Sequence, residues 1–224
     1  MKRQIKRQQS GFTLVEIAIV LVIIGLLLGG ILKGQELINS AKVKNLANDF
    51  RVIPTYIYAY QDKYKALPGD DAQVTTHITG ATLATTPGAV GNGVIDGAWN
   101  STTATDESVL FWQHVRLANL AAGPTVVDVS PTGTYFPTNA VGGRLGVSSM
   151  ASGQPWITGM TGTYQVCSKG ILGKFAKQLD IQMDDGATDT GSMRAVLDSQ
   201  SAPSAAVATA SIDDAASYTV CVTF

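Results

Sequence analysis

The N-terminal part of the chain carries one long hydrophobic pattern that changes character part-way along. From Phe12 to Leu32 almost every residue is apolar or small, and about twenty such residues form a helix long enough to span a bilayer. This pattern then gives way to a single apolar stripe with spacings of three and four residues, formed by Leu46, Phe50, Ile53, Ile57, Tyr60 and Tyr64. The sequence predicts one helix from Phe12 to about Tyr64, with a bend at Pro54.

The helix is expected to end at "ALPGDD", where Pro68 disfavours continuation and Gly69 supplies a turn. Residues 70–104 are rich in turn residues and are predicted to form a structured loop with a short hairpin. The segment "TDESVLFWQHVRLANLAAG" predicts a second helix, with Thr105 or Asp106 as its N-terminal cap. Its core candidates are Val109, Leu110, Trp112, Val115 and Leu120.

The C-terminal part alternates short apolar stretches with glycine and proline, which predicts an antiparallel sheet. The strand candidates are "GTYFP", "RLGVSSM", "QPWITG", "TYQVC" and the terminal "SYTVCVTF". A short helix is predicted in "SKGILGKFAKQLD", with Ile171, Leu172, Phe175 and Leu179 on one side, and residues 199–211 are predicted to be a mobile loop. The fold class is therefore α+β, with the second half of a long N-terminal helix packed on a C-terminal globular head.

Charge is scarce and unevenly distributed along the 224 residues, of which 15% are charged. The first eleven residues contain four basic side chains and no acid: Lys2, Arg3, Lys6 and Arg7. A basic flank before an apolar helix stays in the cytoplasm, so the head is expected outside it. The remainder of the chain is acidic, which argues against a nucleic-acid partner.

A basic flank followed by an apolar run also occurs in secretory signal peptides, which are cleaved off. Here the run is longer than the usual 7–15 residues, and no small-x-small cleavage site follows it. Glu16 near the start of the run is unusual as well, because a lone carboxylate at bilayer depth costs about 2.5–3.5 kcal/mol. A conventional signal peptide remains the alternative to a retained helix.

The stretch Gly11-Phe12-Thr13-Leu14-Val15-Glu16, placed after a short basic leader, resembles the type IV prepilin family. That family comprises type IV pilins and the pseudopilins of type II secretion. The resemblance implies that a prepilin peptidase cuts between Gly11 and Phe12 and methylates the new amine of Phe12. It divides the chain into a leader at 1–11, a membrane and filament-core helix at 12–34, an amphipathic half at 35–65 and an extracytoplasmic pilin head at 66–224.

The same resemblance implies a role for Glu16 in filament assembly, as the partner of the N-terminal amine of a neighbouring subunit. The alternative is a glutamate that snorkels to the lipid headgroups. The implied partners are identical or related pilin subunits in a helical filament, the peptidase and an inner-membrane assembly platform. The chain is expected in the bacterial inner membrane with its head in the periplasm, and then in an extracellular or periplasmic filament.

Three functions stay open at this point. The first is a subunit of a type IV pilus or related filament, and the second is a type II secretion pseudopilin. The third, of another class, is a membrane-anchored binding or adhesin domain that does not polymerise. An enzyme is not predicted, because the sequence has only His77 and His114 and lacks a nucleophile elbow, a zinc-binding histidine pair and a phosphate-cradling loop. His114 lies among core candidates and is expected to be structural.

Cys167 and Cys221 are the two cysteines of the chain. Outside the cytoplasm two cysteines are expected to pair, which would join the terminal strand to the sheet. A metal-binding or catalytic thiol is the alternative.

Two groups of oxygen ligands qualify as calcium candidates. The first contains Asp70, Asp71, Asn92 and Asp96, and the second contains Asp184, Asp185 and Asp189. In both groups the alternative is that the side chains make turns. No cofactor is predicted beyond this calcium hypothesis.

Overall fold

A computed structural model describes residues 11, 13–152 and 155–224. Its first element is a helix of 51 residues, α1, Leu14–Tyr64, which confirms the predicted long helix over that range. The helix continues through Pro54 without interruption. The predicted stripe is buried except for Tyr64, which is half-buried, and the buried residues are Val43, Leu46, Ala47, Phe50, Ile53, Ile57 and Tyr60.

The chain divides into two compact units, with the boundary between Ala41 and Lys42. In the first unit, the described helical residues are almost all exposed. The second unit contains the amphipathic end of α1 and the whole globular head. The functional segments proposed from the resemblance, with boundaries at 34 and 65, stay predictions.

The head contains a four-stranded antiparallel sheet in the order β1-β2-β4-β3, which confirms the α+β class. Its strands are β1, Leu145–Ser149; β2, Tyr164–Leu172; β3, Met193–Leu197; and β4, Ser217–Thr223. The C-terminal strand β4 therefore lies inside the sheet between β2 and β3. Both edges of this C-terminal strand are therefore hydrogen-bonded, one to β2 and the other to β3.

Both faces of the sheet are covered. On one face Val166, Tyr218 and Val220 join the main core, which also contains the buried stripe of α1. On the other face a smaller cluster forms around the two cysteines, and Trp99 and Ile157 cover it from the loops. The alternation of side chains along β4 explains the division, since neighbouring residues point to opposite faces.

Gly146 in β1 allows this second layer to lie close to the sheet. A Cβ at Gly146 would lie 2.0 Å from the carbonyl oxygen of Trp99. Only a residue without a side chain permits such an approach of two backbones. The Trp99 ring then packs edge-on against Trp156, with ring centroids 5.3 Å apart.

Three shorter helices complete the regular structure: α2, Val74–His77; α3, Glu107–Leu117; and α4, Gly173–Met183. Single 3-10 turns occupy Met150–Ser152 and Thr209–Ser211. In α3 all residues from Glu107 to Arg116 are buried, so this helix lies inside the head. The core candidates of α3 are buried as predicted, while Leu120 lies beyond the helix and is half-buried.

The predicted N-cap of α3 is confirmed in position at Asp106, but the Asp106 side chain makes no hydrogen bond that caps the helix. Its carboxylate instead accepts the hydroxyls of Thr86 at 2.6 Å and Ser101 at 2.5 Å. These bonds connect the preceding loop to the start of α3.

Several strand and helix predictions also need correction. Neither "GTYFP" nor the described part of "QPWITG" forms a strand, and Ile157 makes only an isolated bridge to Ser204. Ile171 and Leu172 belong to β2 rather than to α4. The strand β3 was not predicted. Residues 70–104, all of them described, contain the short helix α2 and no hairpin.

Candidate functional site

Thr13 and Glu16 form a reciprocal set of hydrogen bonds at the start of α1. The backbone N–H of Thr13 donates to Glu16 Oε2 at 2.9 Å, and the Thr13 hydroxyl donates to the same oxygen at 2.8 Å. In return, the backbone N–H of Glu16 donates to the Thr13 hydroxyl oxygen at 3.2 Å. This is a capping box, with threonine at the N-cap and glutamate three residues later.

The capping box changes the interpretation of Glu16, since its carboxylate already accepts two hydrogen bonds from its own chain. The sequence suggested a carboxylate without any partner, but the structure gives Glu16 two hydrogen-bond donors, both from Thr13. The spacing Thr-x-x-Glu was readable from the sequence as a helix-start signal and was missed.

The helix that follows the capping box is apolar and exposed. Its large side chains between Leu14 and Leu32 are exposed by 46–91%. The helix is long and apolar enough to cross a membrane, with a mean hydropathy of 2.8 over its most apolar window, none of which is buried. Apolar surface of this extent marks a segment that contacts lipid or other protein chains.

The two cysteines form a disulfide, which confirms their predicted pairing. They face each other in register on β2 and β4, with Cα atoms 4.1 Å apart. Both are fully buried under the cluster that contains Trp99. With both cysteines bonded, a free catalytic or metal-binding thiol is excluded.

The first group of calcium candidates is committed to hydrogen bonds inside the head. The Asp70 carboxylate accepts backbone N–H groups of Gly91, Asn92 and Gly93. The carboxylate of Asp96 accepts the Asn92 side-chain amide at 3.1 Å. These contacts are those of turn formation, because the Asp70 carboxylate fixes the backbone of a glycine-rich loop and Asp96 holds the Asn92 side chain of the same loop.

The second group surrounds the loop after α4. Asp184 accepts the hydroxyl of Ser192 and the backbone N–H of Met193, at 3.1 and 2.8 Å. Asp185 accepts the backbone N–H of Ala187 at 2.9 Å and the hydroxyl of Thr190 at 2.6 Å. Within the described ranges, Asp189 makes no such contact. Among the described residues no group of three or more histidine, cysteine, aspartate or glutamate side chains is arranged to hold a metal ion.

A polar cluster that the sequence did not reveal is centred on Asp71. Its carboxylate accepts the Tyr60 hydroxyl at 2.8 Å and the backbone N–H of Gln73 at 2.9 Å, and it pairs with Nδ1 of His77 at 2.7 Å. Asp71 is buried, while the His77 side chain is 29% exposed. Tyr60 lies on α1, so the cluster joins the end of the long helix to the loop that follows it.

His114 is structural, as predicted. Its Nδ1 accepts the backbone N–H of Gly69 at 2.9 Å, and its Nε2 lies 2.8 Å from the carbonyl oxygen of Thr82. Burial lowers the pKa of this side chain, which favours a neutral ring. The neutral tautomer with the proton on Nε2 satisfies both contacts.

The sequence comparisons bear on the N-terminal site alone. Residues 6–32 match the model of the prokaryotic N-terminal methylation motif. This chain carries the N-terminal methylation motif typical of the type IV prepilin and pseudopilin family. Neither the curated proteins nor the solved structures provide a match to the chain.

The matched motif contains Thr13 and Glu16, so the capping box lies inside the prepilin motif. The motif implies processing by a prepilin peptidase and assembly with pilin subunits, and together with the apolar helix it indicates inner-membrane anchoring before assembly. Gly11 is exposed, and no other part of the described chain lies within 4 Å of the position of its missing Cβ. Phe12, the predicted site of methylation, lies outside the described residues.

Proposed function

We propose that this chain is the structural subunit of a type IV pilus or related filament and that it assembles through its N-terminal helix. The observation that carries the proposal is the capping box of Thr13 and Glu16 at the head of an exposed apolar helix, within the matched motif. An apolar helix of this kind serves first as a membrane anchor and then as the packed core of a filament. The function proposed is structural and not catalytic.

Processing precedes assembly in this scheme. A cut between Gly11 and Phe12 removes the basic leader and creates a new amine on Phe12, next to Thr13. Both partners of the capping box remain on the mature chain, so cleavage leaves the hydrogen bonds of Glu16 available. The peptidase then methylates the amine of Phe12.

Glu16 has the capacity for one further partner after processing. Both donors from Thr13 reach Oε2, and in the described part of the chain no donor reaches Oε1. A protonated amine from a neighbouring subunit fits this position because it supplies a positive charge and hydrogen-bond donors. Hydrogen bonds to charged groups contribute about 1.5–3 kcal/mol, and pairing also removes the cost of an uncompensated carboxylate among apolar helices.

The test is a comparison of Glu16→Ala and Glu16→Gln with Glu36→Ala as the matched control. Glu36 lies on the same helix, is exposed and pairs with Lys33, so its replacement also removes a glutamate from α1. We expect sheared filaments of the wild type and of Glu36→Ala, and few or none of the two Glu16 variants. Mass spectrometry of the membrane fraction is expected to show a methylated Phe12 at the N-terminus of all four chains.

The outcomes separate the alternatives. Surface filaments that contain this subunit support a pilus, whereas filaments confined to the periplasm and a secretion defect support a type II secretion pseudopilin. If Glu16→Ala has no effect on assembly or function, the filament proposal fails. An anchored binding or adhesin domain that does not polymerise is then the better description.

A further inference from the structure

The head contains an open pocket of about 470 Å³, far from the N-terminal motif in sequence. It lies within one compact unit, between the last turns of α1, the short helix α2 and the loop at 91–93. Its lining includes six side chains with polar groups: Gln61, Tyr64, Lys65, Gln73, His77 and Tyr164. This size is typical of small-molecule sites.

His77 is held in a fixed orientation at the wall of this pocket. Its Nδ1 contacts the buried carboxylate of Asp71, which also accepts the hydroxyl of Tyr60. The carboxylate therefore accepts a hydrogen bond from Nδ1, and Nε2 has no partner among the described residues. The Tyr64 ring stacks on the imidazole, with centroids 5.3 Å apart and planes 22° apart.

The other side chains supply a mixture of donors and acceptors. Gln61 and Gln73 offer amide groups that both donate and accept, and Tyr164 offers a phenol. Lys65 donates to the backbone and side-chain oxygens of Asp62, at 2.7 and 3.3 Å, and its ammonium group has a third donor to offer. A ligand for this pocket needs several groups that can both donate and accept hydrogen bonds.

Charge and polarity narrow the class of ligand. The carboxylates of Asp70 and Asp71 border the pocket, which disfavours a strongly anionic ligand. The polar side chains disfavour a purely apolar ligand, since their hydrogen-bonding groups would lose water without gaining partners. The Tyr64 and His77 side chains, whose rings stack on each other, add aromatic carbon atoms to the lining next to these polar groups.

We propose that this pocket binds a neutral, hydroxyl-rich molecule of the size of one pyranose sugar. A sugar hydroxyl, which can donate or accept, forms a hydrogen bond with Nε2 of His77, and further hydroxyls exchange hydrogen bonds with Gln61, Gln73 and Tyr164. The ring carbons contact the aromatic side chains of Tyr64 and His77 that line the pocket. A ligand with about 12 non-hydrogen atoms in an open pocket binds with a Kd of the order of 1 mM.

The experiment is saturation-transfer NMR on the full chain in a detergent without a sugar headgroup. The probes are glucose, galactose, mannose and N-acetylglucosamine, with inorganic phosphate and cyclohexanol as representatives of the anionic and apolar classes. We expect saturable binding of at least one sugar and no saturable binding of the other two probes. His77→Ala and Gln73→Ala are each expected to weaken that binding by about five-fold or more, the effect of one lost hydrogen bond.

Thr76→Ala is the matched control, because Thr76 is an exposed residue of the same short helix and does not line the pocket. The Thr76→Ala variant is expected to bind the sugar with the affinity of the wild type. If His77→Ala lowers the melting temperature, Gln73→Ala decides the question. The proposal is overturned if none of the sugars binds saturably, if phosphate or cyclohexanol binds instead, or if the pocket variants bind as the control does.

Discussion

The backbone N–H of Asp96 donates to Glu107 Oε2 at 2.7 Å, and this bond joins the loop before α3 to the first residue of that helix. The second oxygen, Glu107 Oε1, is buried and has no hydrogen-bond partner in the described chain. Burial, with smaller contributions from Asp70, Asp96 and Asp106, raises the pKa of Glu107 to about 7. A carboxyl group in this position favours its neutral form, because the charged form lacks both water and a cation.

The first prediction is that protonation of Glu107 makes a contribution to the stability of the head that is lost as the pH rises from 5 to 8, against the opposite contribution of the buried His114, whose pKa is lowered. The folded state holds a proton on Glu107 up to about pH 7, whereas the unfolded chain releases it near the ordinary value of 4.5. The contribution of Glu107 to stability therefore falls with increasing pH through this window, by about 1–3 kcal/mol. Asp180, whose pKa burial raises to about 6, contributes in the same direction.

Denaturant unfolding at pH 5, 6, 7 and 8 measures the effect. Glu107→Gln is expected to remove the contribution of Glu107 from the pH dependence, and Glu107→Gln with Asp180→Asn to remove that of Asp180 as well. Asp128→Asn is the control, because hydrogen bonds from Ser130 lower the pKa of this exposed carboxyl and place its titration below the window. A pH dependence of Glu107→Gln identical to that of the wild type would contradict the assignment, because the opposite contribution of His114 is the same in both proteins.

The second prediction concerns the disulfide between β2 and β4. Replacement of both Cys167 and Cys221 by alanine is expected to lower the free energy of unfolding by about 2–4 kcal/mol, because the bond closes a long loop, with a sequence separation of 54. The wild-type protein treated with a reductant serves as the comparison, and its unfolding midpoint is expected to approach that of the double variant. Equal stability of the oxidised wild type and the double variant would show that the bond contributes nothing.

The elements that the sequence predicts well are those with an unbroken period. The stripe of α1 and the alternation of β4 each point one set of side chains at the main core, so the pattern alone defines them. β2 was only partly predicted because its register to β4 shifts between Ser168 and Ile171. Gly170 lies in this irregular part with φ of +79°, and the strand continues beyond it where the sequence indicated a helix.

Side-chain contacts between distant segments account for the rest. "GTYFP" has the composition of a strand, but Tyr135 is held by its hydroxyl, which donates to the carbonyl oxygen of Val109 at 2.8 Å. Similarly, Asp71 and His77 lie in a turn-rich segment without periodicity, and their partner Tyr60 lies on α1. At the N-terminus the motif that contains Glu16 could be recognised from the sequence, because its residues are adjacent in the chain.

The third prediction concerns the hydrogen bond from the Tyr135 hydroxyl to the carbonyl oxygen of Val109, in the segment that was predicted to be a strand. Tyr135→Phe removes the hydroxyl and leaves the buried carbonyl of Val109 without this donor. We expect a loss of about 1–2 kcal/mol in the free energy of unfolding. Tyr58→Phe is the matched control, since Tyr58 is 58% exposed on α1, and its stability is expected to equal that of the wild type. An identical effect of the two substitutions would argue against a stabilising role for the Tyr135 hydroxyl.

The last prediction concerns Thr13 and rests on the proposed filament function. Thr13→Val keeps the shape of the side chain but removes the hydroxyl that donates to Glu16 and accepts its backbone N–H, whereas Thr13→Ser keeps both bonds. Loss of an N-terminal cap costs about 1 kcal/mol, which corresponds to about a five-fold change in an equilibrium.

We therefore expect Thr13→Val to reduce the yield of sheared filaments about five-fold and Thr13→Ser to assemble as the wild type does. Mass spectrometry of the membrane fraction checks that both variants are cleaved and methylated equally, so that a processing defect is not mistaken for an assembly defect. Equal filament yields from Thr13→Val and Thr13→Ser would show that the hydroxyl does not position Glu16 for its partner. A reduced yield confined to Thr13→Val would show that the hydroxyl positions Glu16. The two variants differ in that hydroxyl, whereas the hydrogen bond from the backbone N–H of residue 13 to Glu16 is available to both.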